Sequence, residues 1–406
     1  MTHGRDGFSL AHRAALIVAA LAAVVVMTST SYAIDDSVIV TNQGGLLAGT
    51  VSTFTANGHK AKNQKPSAVI SNADISFFGS AVPAMDVLTG VEINPTNGPG
   101  VFNASYVLSN LSLLGGPDVM SAFAPGATGA STAVAGTITF AEAGVPIVPF
   151  SMPQDLAFAI TPSTGGAPGT DVAVGDVFVS NYSGGETGSV IHFPPDVGTA
   201  LNPLGLIDDP FPPIPVPPVQ IPALVLEDSV FDAMTNPFGC VAPASTDLLG
   251  PVGVKLDADN NIWVSNSGFR GAFPSYITEY PPGAFGCTPP INLIGLGTLV
   301  SAGYLAIDAD GDLWVTDLSQ RAVFEFSSAG VILATIEGKK TGLKSPMGIS
   351  LGAEPSPNVY VADEQAGGIF EYEDAEDGGL LNIKTAARIQ GKKTKINQPV
   401  GVAVLP

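Results

Sequence analysis

The residues able to do chemistry are few, and they fall into three groups. Asp308-Ala-Asp310-Gly-Asp312 sets carboxylates at alternate positions, with Asp257-Ala-Asp-Asn-Asn261 as a relative. Alternate oxygen ligands suit calcium, the one cofactor this pattern admits at Asp308, Asp310 and Asp312. The same spacing suits a tight hairpin, where Asp, Asn and Gly are favoured by turn geometry. The bidentate Glu that closes an EF-hand loop is missing. The second group is the pair Phe238-Gly-Cys240 and Phe285-Gly-Cys287, one short phrase written twice. A Cys240–Cys287 disulfide is the expectation in an oxidising compartment.

The third group is basic. Gly58-HKAKNQK-Pro66, Gly338-KKTGLKS-Pro346 and Gly391-KKTKINQ-Pro399 have one length and one pattern. They hold Lys60, Lys62, Lys65, Lys339, Lys340, Lys344, Lys392, Lys393 and Lys395, every lysine of the chain except Lys255 and Lys384. The formal net charge is −20. An acidic chain with clustered lysines suits diffuse attraction to a polyanion better than bidentate recognition. The partner this admits is a protein or an anionic polysaccharide; specific nucleic-acid binding is not expected. The plainer reading is that the lysines only solubilise their loops.

Zinc chemistry built on several histidines is excluded, because beyond residue 33 only His59 and His192 occur, in unrelated contexts. No Gly-x-Ser-x-Gly nucleophile elbow is present.

These groups sit on a repeated phrase. Gly303 to Phe326 reads as three short strands, with Asp310-Gly311 as the turn between the first two. The second strand recurs as Val177-Phe-Val-Ser-Asn181, Ile262-Trp-Val-Ser-Asn266, Leu313-Trp-Val-Thr-Asp317 and Val359-Tyr-Val-Ala-Asp363. A fifth copy, Val38-Ile-Val-Thr-Asn42, comes early and lacks its first strand. Pro399 to Pro406 is a first strand with nothing after it. The two fragments complete one unit, as a circular array requires if no sheet edge is to stay unpaired. Asn42, Asn181, Asn266, Asp317 and Asp363 could line a mouth or bond local backbone N–H groups. Trp263, Trp314, Phe178 and Tyr360 read as packing between sheets.

The phrase Pro-x-Gly-[Val/Ile], a hairpin, then hydrophobic-aromatic-Val-x-[Asn/Asp] resembles the NHL-repeat β-propellers. The resemblance covers 38–54, 155–193 and 251–406. It implies an all-β propeller, and counting the copies with the divergent region gives a six-bladed one closed by a split N-/C-terminal blade, five or seven remaining open because the divergent region could hold none or two. Lactonases among similar propellers carry Asp in a Pro-Asp-Gly opening. The matching positions here are Gln154, Val252, Gly303, Met347 and Val400, none acidic. Channel histidines of the propeller lyases are missing too.

Along the chain, Arg5 and Arg13 precede the apolar run Ala14 to Met27, and Ser31-Tyr-Ala33 fits a cleavage site, so 1–33 reads as a signal peptide. The propeller then fills 34–406, with no membrane span after cleavage. Residues 59–150 read as a divergent blade with insertions, Ser105–Asn110 its second strand and Gly136–Phe140 its third. Residues 194–249 read as a Pro-rich insertion. The expected function is a noncatalytic binding or scaffold protein that is secreted, periplasmic or on the cell surface. A metal-dependent lactonase-like or lyase-like propeller with a diverged site is the alternative, as is a purely structural surface protein.

Overall fold

Alternation of apolar and polar residues over five or six positions builds short strands, and the repeats deliver them in sets of four. The computed structural model describes residues 37–43, 49–55, 64–71, 74–77, 80–83, 88–94, 105–109, 119–123, 127–128, 135–138, 152–164, 171–182, 188–193, 224–227, 247–268, 273–284, 288–352, 358–372 and 379–405. The leader expected over 1–33, together with His59, Lys60, Lys62, Cys240 and Cys287, lies outside the described residues. Among the described residues no helix is long and apolar enough to cross a membrane.

The protein is an all-β propeller; among the described residues it has five four-stranded sheets, one five-stranded sheet and a two-stranded hairpin. Sheet 1 is Pro399–Leu405, Ser37–Asn42, Thr50–Thr55 and Ala68–Ser71. Sheet 2 is Leu88–Ile93, Ser105–Ser109, Val119–Phe123 and Ala135–Ile138. Sheet 3 is Pro153–Phe158, Val177–Asn181, Ser189–Phe193 and Leu224–Glu227. Sheet 4 is Pro251–Leu256, Ile262–Asn266, Tyr276–Tyr280 and Asn292–Ile294. Sheet 5 is Ala302–Ile307, Leu313–Asp317, Ala322–Phe326 and Ile332–Ile336, extended by Gly379–Leu381 in parallel. Sheet 6 is Pro346–Leu351, Val359–Asp363, Gly368–Tyr372 and Ala387–Gln390. The first strands touch one another in a closed cycle, sheet 1 to 6 and back to 1.

Sheet 1 is assembled from both ends of the chain: Val38 pairs with Val404, Ile39 with Ala403 and Val40 with Val402. Three readings of the sequence are corrected. In the divergent region the third strand is Val119–Phe123, and Ala135–Ile138 is the outer one. The segment 194–249, read as an insertion, contains Leu224–Glu227, the outer strand of sheet 3. The loop 56–67 joins the third strand of sheet 1 to its outer strand Ala68–Ser71 rather than leading to the next sheet. That outer strand is short and carries no aromatic, so the repeat phrase did not mark it.

Two features of the phrase are explained by how the sheets meet. A Cβ on Gly253 would lie 2.6 Å from Leu305 N, and one on Gly401 would lie 2.7 Å from Thr89 O. The glycine of Pro-x-Gly is therefore the point where one first strand presses on the next. The hydroxyl before the closing Asn or Asp bridges the same gap. Thr41 Oγ1 accepts from Gly401 N (2.7 Å) and donates to Thr89 O of sheet 2 (2.8 Å). Ser180 accepts from Asp155 N (3.1 Å) and donates to Val252 O (2.5 Å). Ser265 links Gly253 N to Gly303 O, and Thr316 links Tyr304 N to Met347 O. Each buried hydroxyl thus has both a donor and an acceptor to satisfy it. Sheet 6 carries Ala362 in this slot, so its junction with sheet 1 lacks the bridge.

Aromatics in the second strands fill the space between sheets. Trp263 packs with Leu305 and Val315, Trp314 with Ile349 and Val361, Phe178 with Val254, and Tyr360 with Val402. Burying one such side chain is worth about 1.5–3 kcal/mol.

Candidate functional site

The closed cycle of first strands leaves a cavity of about 670 Å³ at one end of its axis. Two registers of the repeat build it. The second residues of the first strands form the floor: Thr89, Gln154, Val252, Gly303, Met347 and Val400. The residues that follow the closing Asn or Asp contribute the rim: Gln43, Tyr182, Ser267, Leu318 and Glu364. Arg321, Lys344 and Glu364 are the charged side chains of the lining.

The closing Asn and Asp residues lie under that rim, fully buried. Asp317 Oδ2 accepts from Val300 N (2.7 Å) and Ser301 N (3.1 Å), and its Oδ1 from Gln320 N (2.9 Å). Asp363 Oδ2 accepts from Lys344 N (2.6 Å) and Ser345 N (3.0 Å). Asn266 Oδ1 accepts from Leu249 N (2.8 Å). These side chains hold the incoming connections in place, and their successors, not they, meet the ligand space.

Below the floor the axis is blocked and charged. Tyr304, where the repeat has Gly, extends its hydroxyl to donate to Gln154 O (3.2 Å). Burial first, and then the nearby Asp155 carboxylate, pushes the Tyr304 phenol well above its usual range. Asp155 stands in the same Gly slot of sheet 3. Lys255 Nζ lies 3.2 Å from Asp155 Oδ2 and 2.9 Å from Glu92 Oε2, and donates to Leu156 O (3.1 Å). Three sheets are thereby joined by one cation and two carboxylates. Desolvation raises Asp155 to about 6, although Lys255 pulls it down. Lys255 is raised, because Asp155 and Glu92 together outweigh its burial. Sequence reasoning missed this triad. The available signal was that Asp155 and Tyr304 break the Pro-x-Gly rule.

The acidic hairpin serves its own turn. Asp308 Oδ1 accepts from Asp310 N (3.1 Å) and Asp312 N (2.9 Å), and its Oδ2 from the Trp314 indole (3.0 Å). Asp257 does the same for Asn261 and Trp263. Asn260 and Gly311 share a left-handed backbone there, as the hairpin requires (φ 62° and 84°). The carboxylates that approach within 4.8 Å are Asp308, Asp312 and Glu325, so Asp310 stands apart from the group expected around calcium. Burial, then Asp308 and Asp310, hold Asp312 above the usual carboxylate range. In sheet 3, His192 Nε2 lies 2.6 Å from Asp176 Oδ2, with the ring stacked on Phe178. The pair is buried away from the cavity lining.

The lysines divide. Lys339, Lys340 and Lys344 lie on the connection into Pro346, and Lys392, Lys393 and Lys395 on the connection into Pro399, all exposed and at the cavity end. Lys65 is exposed at the other end, because the registers Asn42↔Thr50 and Thr53↔Ala68 put Thr55 and the residues just before Ala68 opposite the cavity. The expectation that Lys65 joins the others on one face is corrected on this topology. Lys395 holds a left-handed backbone (φ 58°) at the position its sister loop gives to Gly342 (φ 83°).

No family model and no curated protein matches the chain. Among solved structures it is similar to a chain of the nidogen/laminin complex, at 11% identity and TM-score 0.50, covering 91% of this chain and 98% of that one. A functionally unknown protein from Desulfotomaculum acetoxidans DSM 771 matches at 12% identity and TM-score 0.48, covering 91% and 98%. A streptogramin B lyase structure matches at 10% identity and TM-score 0.41, covering 78% and 86%. The likeness is one of fold, and the fold shared is the β-propeller.

Proposed function

We propose that this chain is a secreted, noncatalytic, NHL-type propeller of six blades, the five-stranded sheet counting as one. In this reading 1–33 is its leader, and it acts outside the cytoplasm as a binding or scaffold protein for an anionic ligand or an acidic protein surface. The observation that carries the reading is a cavity whose free charged groups are mostly cationic, flanked on the same end by two lysine loops, in a chain of net charge −20. Long-range steering would bring an anion to this end and repel it elsewhere. The lining offers amides, hydroxyls and one carboxylate, which position a ligand. Exposed lysines are screened beyond about 10 Å at 0.1 M salt, so the attraction is salt-sensitive.

The test is retention on an immobilised anionic polysaccharide at low salt. A variant with Lys339, Lys340, Lys392 and Lys393 changed to Gln is expected to elute earlier. The Lys65→Gln variant, altered at the opposite end, is expected to elute with the parent. Co-elution of all three proteins would leave solubility as the role of these lysines. The export half of the proposal includes a Cys240–Cys287 disulfide, motivated by the matching phrases around the two residues. Mass mapping of a nonreduced digest is expected to find the linked peptides, and two free thiols would count against it.

A further inference from the structure

Arg321 occupies an expensive position. The turn after the second strand of sheet 5, Asp317-Leu-Ser-Gln-Arg321, matches Asp363-Glu-Gln-Ala-Gly367 in sheet 6. Both fifth residues have a left-handed backbone, φ 57° at Arg321 and 65° at Gly367. Glycine adopts it freely, whereas a side chain with a Cβ is strained there. The turn itself therefore favours glycine, and sheet 5 has arginine instead. A strained residue in a cleft points to a role outside the turn.

The surroundings say what that role is. Arg321 lines the cavity, and so does Lys344 on the neighbouring connection. Among the described residues the ion pairs are those of His192 and Lys255, so neither rim cation has a salt-bridge partner. Half of the floor beneath is apolar. Val252, Met347 and Val400 supply side chains, and Gly303 leaves room. The polar floor residues are committed to the protein: Thr89 donates to Pro153 O and Gln154 Nε2 donates to Met152 O, both at 2.8 Å. Tyr304 closes the bottom. The cup thus has apolar side chains on part of its floor, and two cations, Arg321 and Lys344, against one carboxylate, Glu364, at its rim, at a volume typical of small-molecule sites.

We propose that the cavity binds a small organic carboxylate with an apolar body, the head group held by the Arg321 guanidinium with Lys344 in support, and the body seated on Val252, Met347 and Val400. A guanidinium presents a planar fork that matches a carboxylate. The inference rests on the reading of this end as the ligand face and gives that face a small-molecule ligand.

Calorimetric titration of the full chain with octanoate, 1-octanol and acetate tests it. Octanoate is expected to bind saturably, and acetate, which lacks the apolar body, to bind far more weakly. The Arg321→Gly variant restores the residue the sister turn uses, so its melting temperature is expected to hold or rise. Its octanoate affinity is expected to fall by about tenfold or more, the loss of one charge-assisted contact. Weak binding of octanol is expected to be unaffected. Absence of saturable octanoate binding at about 1 mM, a concentration that would detect even a marginal site, overturns the proposal. So does equal octanoate affinity in parent and variant, or an equal loss for octanol. The four-lysine variant separates this from the polyanion reading. It is expected to keep octanoate binding while losing column retention, and octanoate binding lost with retention kept would remove the cavity alone.

Discussion

Deleting Gln398–Pro406 is expected to abolish cooperative unfolding. The strand Pro399–Leu405 is the first strand of sheet 1 and lies between the first strands of sheets 6 and 2. Its residues Val400, Val402, Ala403 and Val404 are buried. Val402 and Val404 pack with Val38, Val40, Phe54 and Tyr360. Each buried valine is worth about 1.5–3 kcal/mol. Losing three of them takes away an amount comparable with the about 5–15 kcal/mol that holds a typical domain together. The deletion also strips Ser37–Asn42 of its partner and removes the Gly401 N–H that Thr41 accepts. An exposed strand edge then invites pairing with another chain. Thermal melting followed by circular dichroism, with light scattering, is the measurement. A truncated chain that melts cooperatively near the parent temperature would show that the ring does not depend on this closure.

This closure was legible because it is written in complementary fragments, each incomplete alone. Strand identities in sheets 4 to 6 were legible for the same reason: an aromatic flanked by aliphatic residues, Val always after it, and ended by Asn or Asp fits one strand position and no other. The cavity was half legible. Its floor positions, Gln154 to Val400, stand at a fixed place in the repeat, but the rim is set one residue past the Asn or Asp that attracts attention. Lys65 was misplaced because loops of equal length and composition can join either the third to the outer strand or the outer to the next inner strand. Only the position of Ala68–Ser71 distinguishes these. The triad could not be read from spacing, since Glu92 and Lys255 are brought together by the curvature of the whole ring and not by any local period.

Replacing Lys255 by Met is expected to cost about 3 kcal/mol at pH 8, near the lower end of what removing one partner from a buried ionic group costs. The variant keeps the length of the side chain and removes its charge. Asp155 would then sit buried where three sheets meet, held by the backbone N–H groups of Val254 (3.2 Å) and Leu156 but with no cation beside its carboxylate. Glu92 is better placed to rehydrate, with 28% of its side chain exposed against 4% for Asp155. The pH dependence identifies the cause. In the parent, burial lifts Asp155 from 3.8 to about 6, so the folded chain holds the proton more tightly than the unfolded one. Stability from this group is therefore present at low pH and declines as pH rises from about 4 through about 6. Lys255 is raised, so its contribution is intact throughout this window and declines only at alkaline pH, from the unfolded value of 10.5 upward towards the folded one. Without the Lys255 charge Asp155 takes up its proton more readily still, and a neutral acid is far cheaper to bury than a carboxylate. The cost of Lys255→Met should accordingly shrink on going from pH 8 to pH 5. Adding Asp155→Asn to it should restore part of the lost stability at pH 8 and flatten the difference between the two pH values. Urea unfolding of parent, single and double variants at both pH values measures this. A single variant as stable as the parent at pH 8 would mean that the triad is hydrated and holds nothing together.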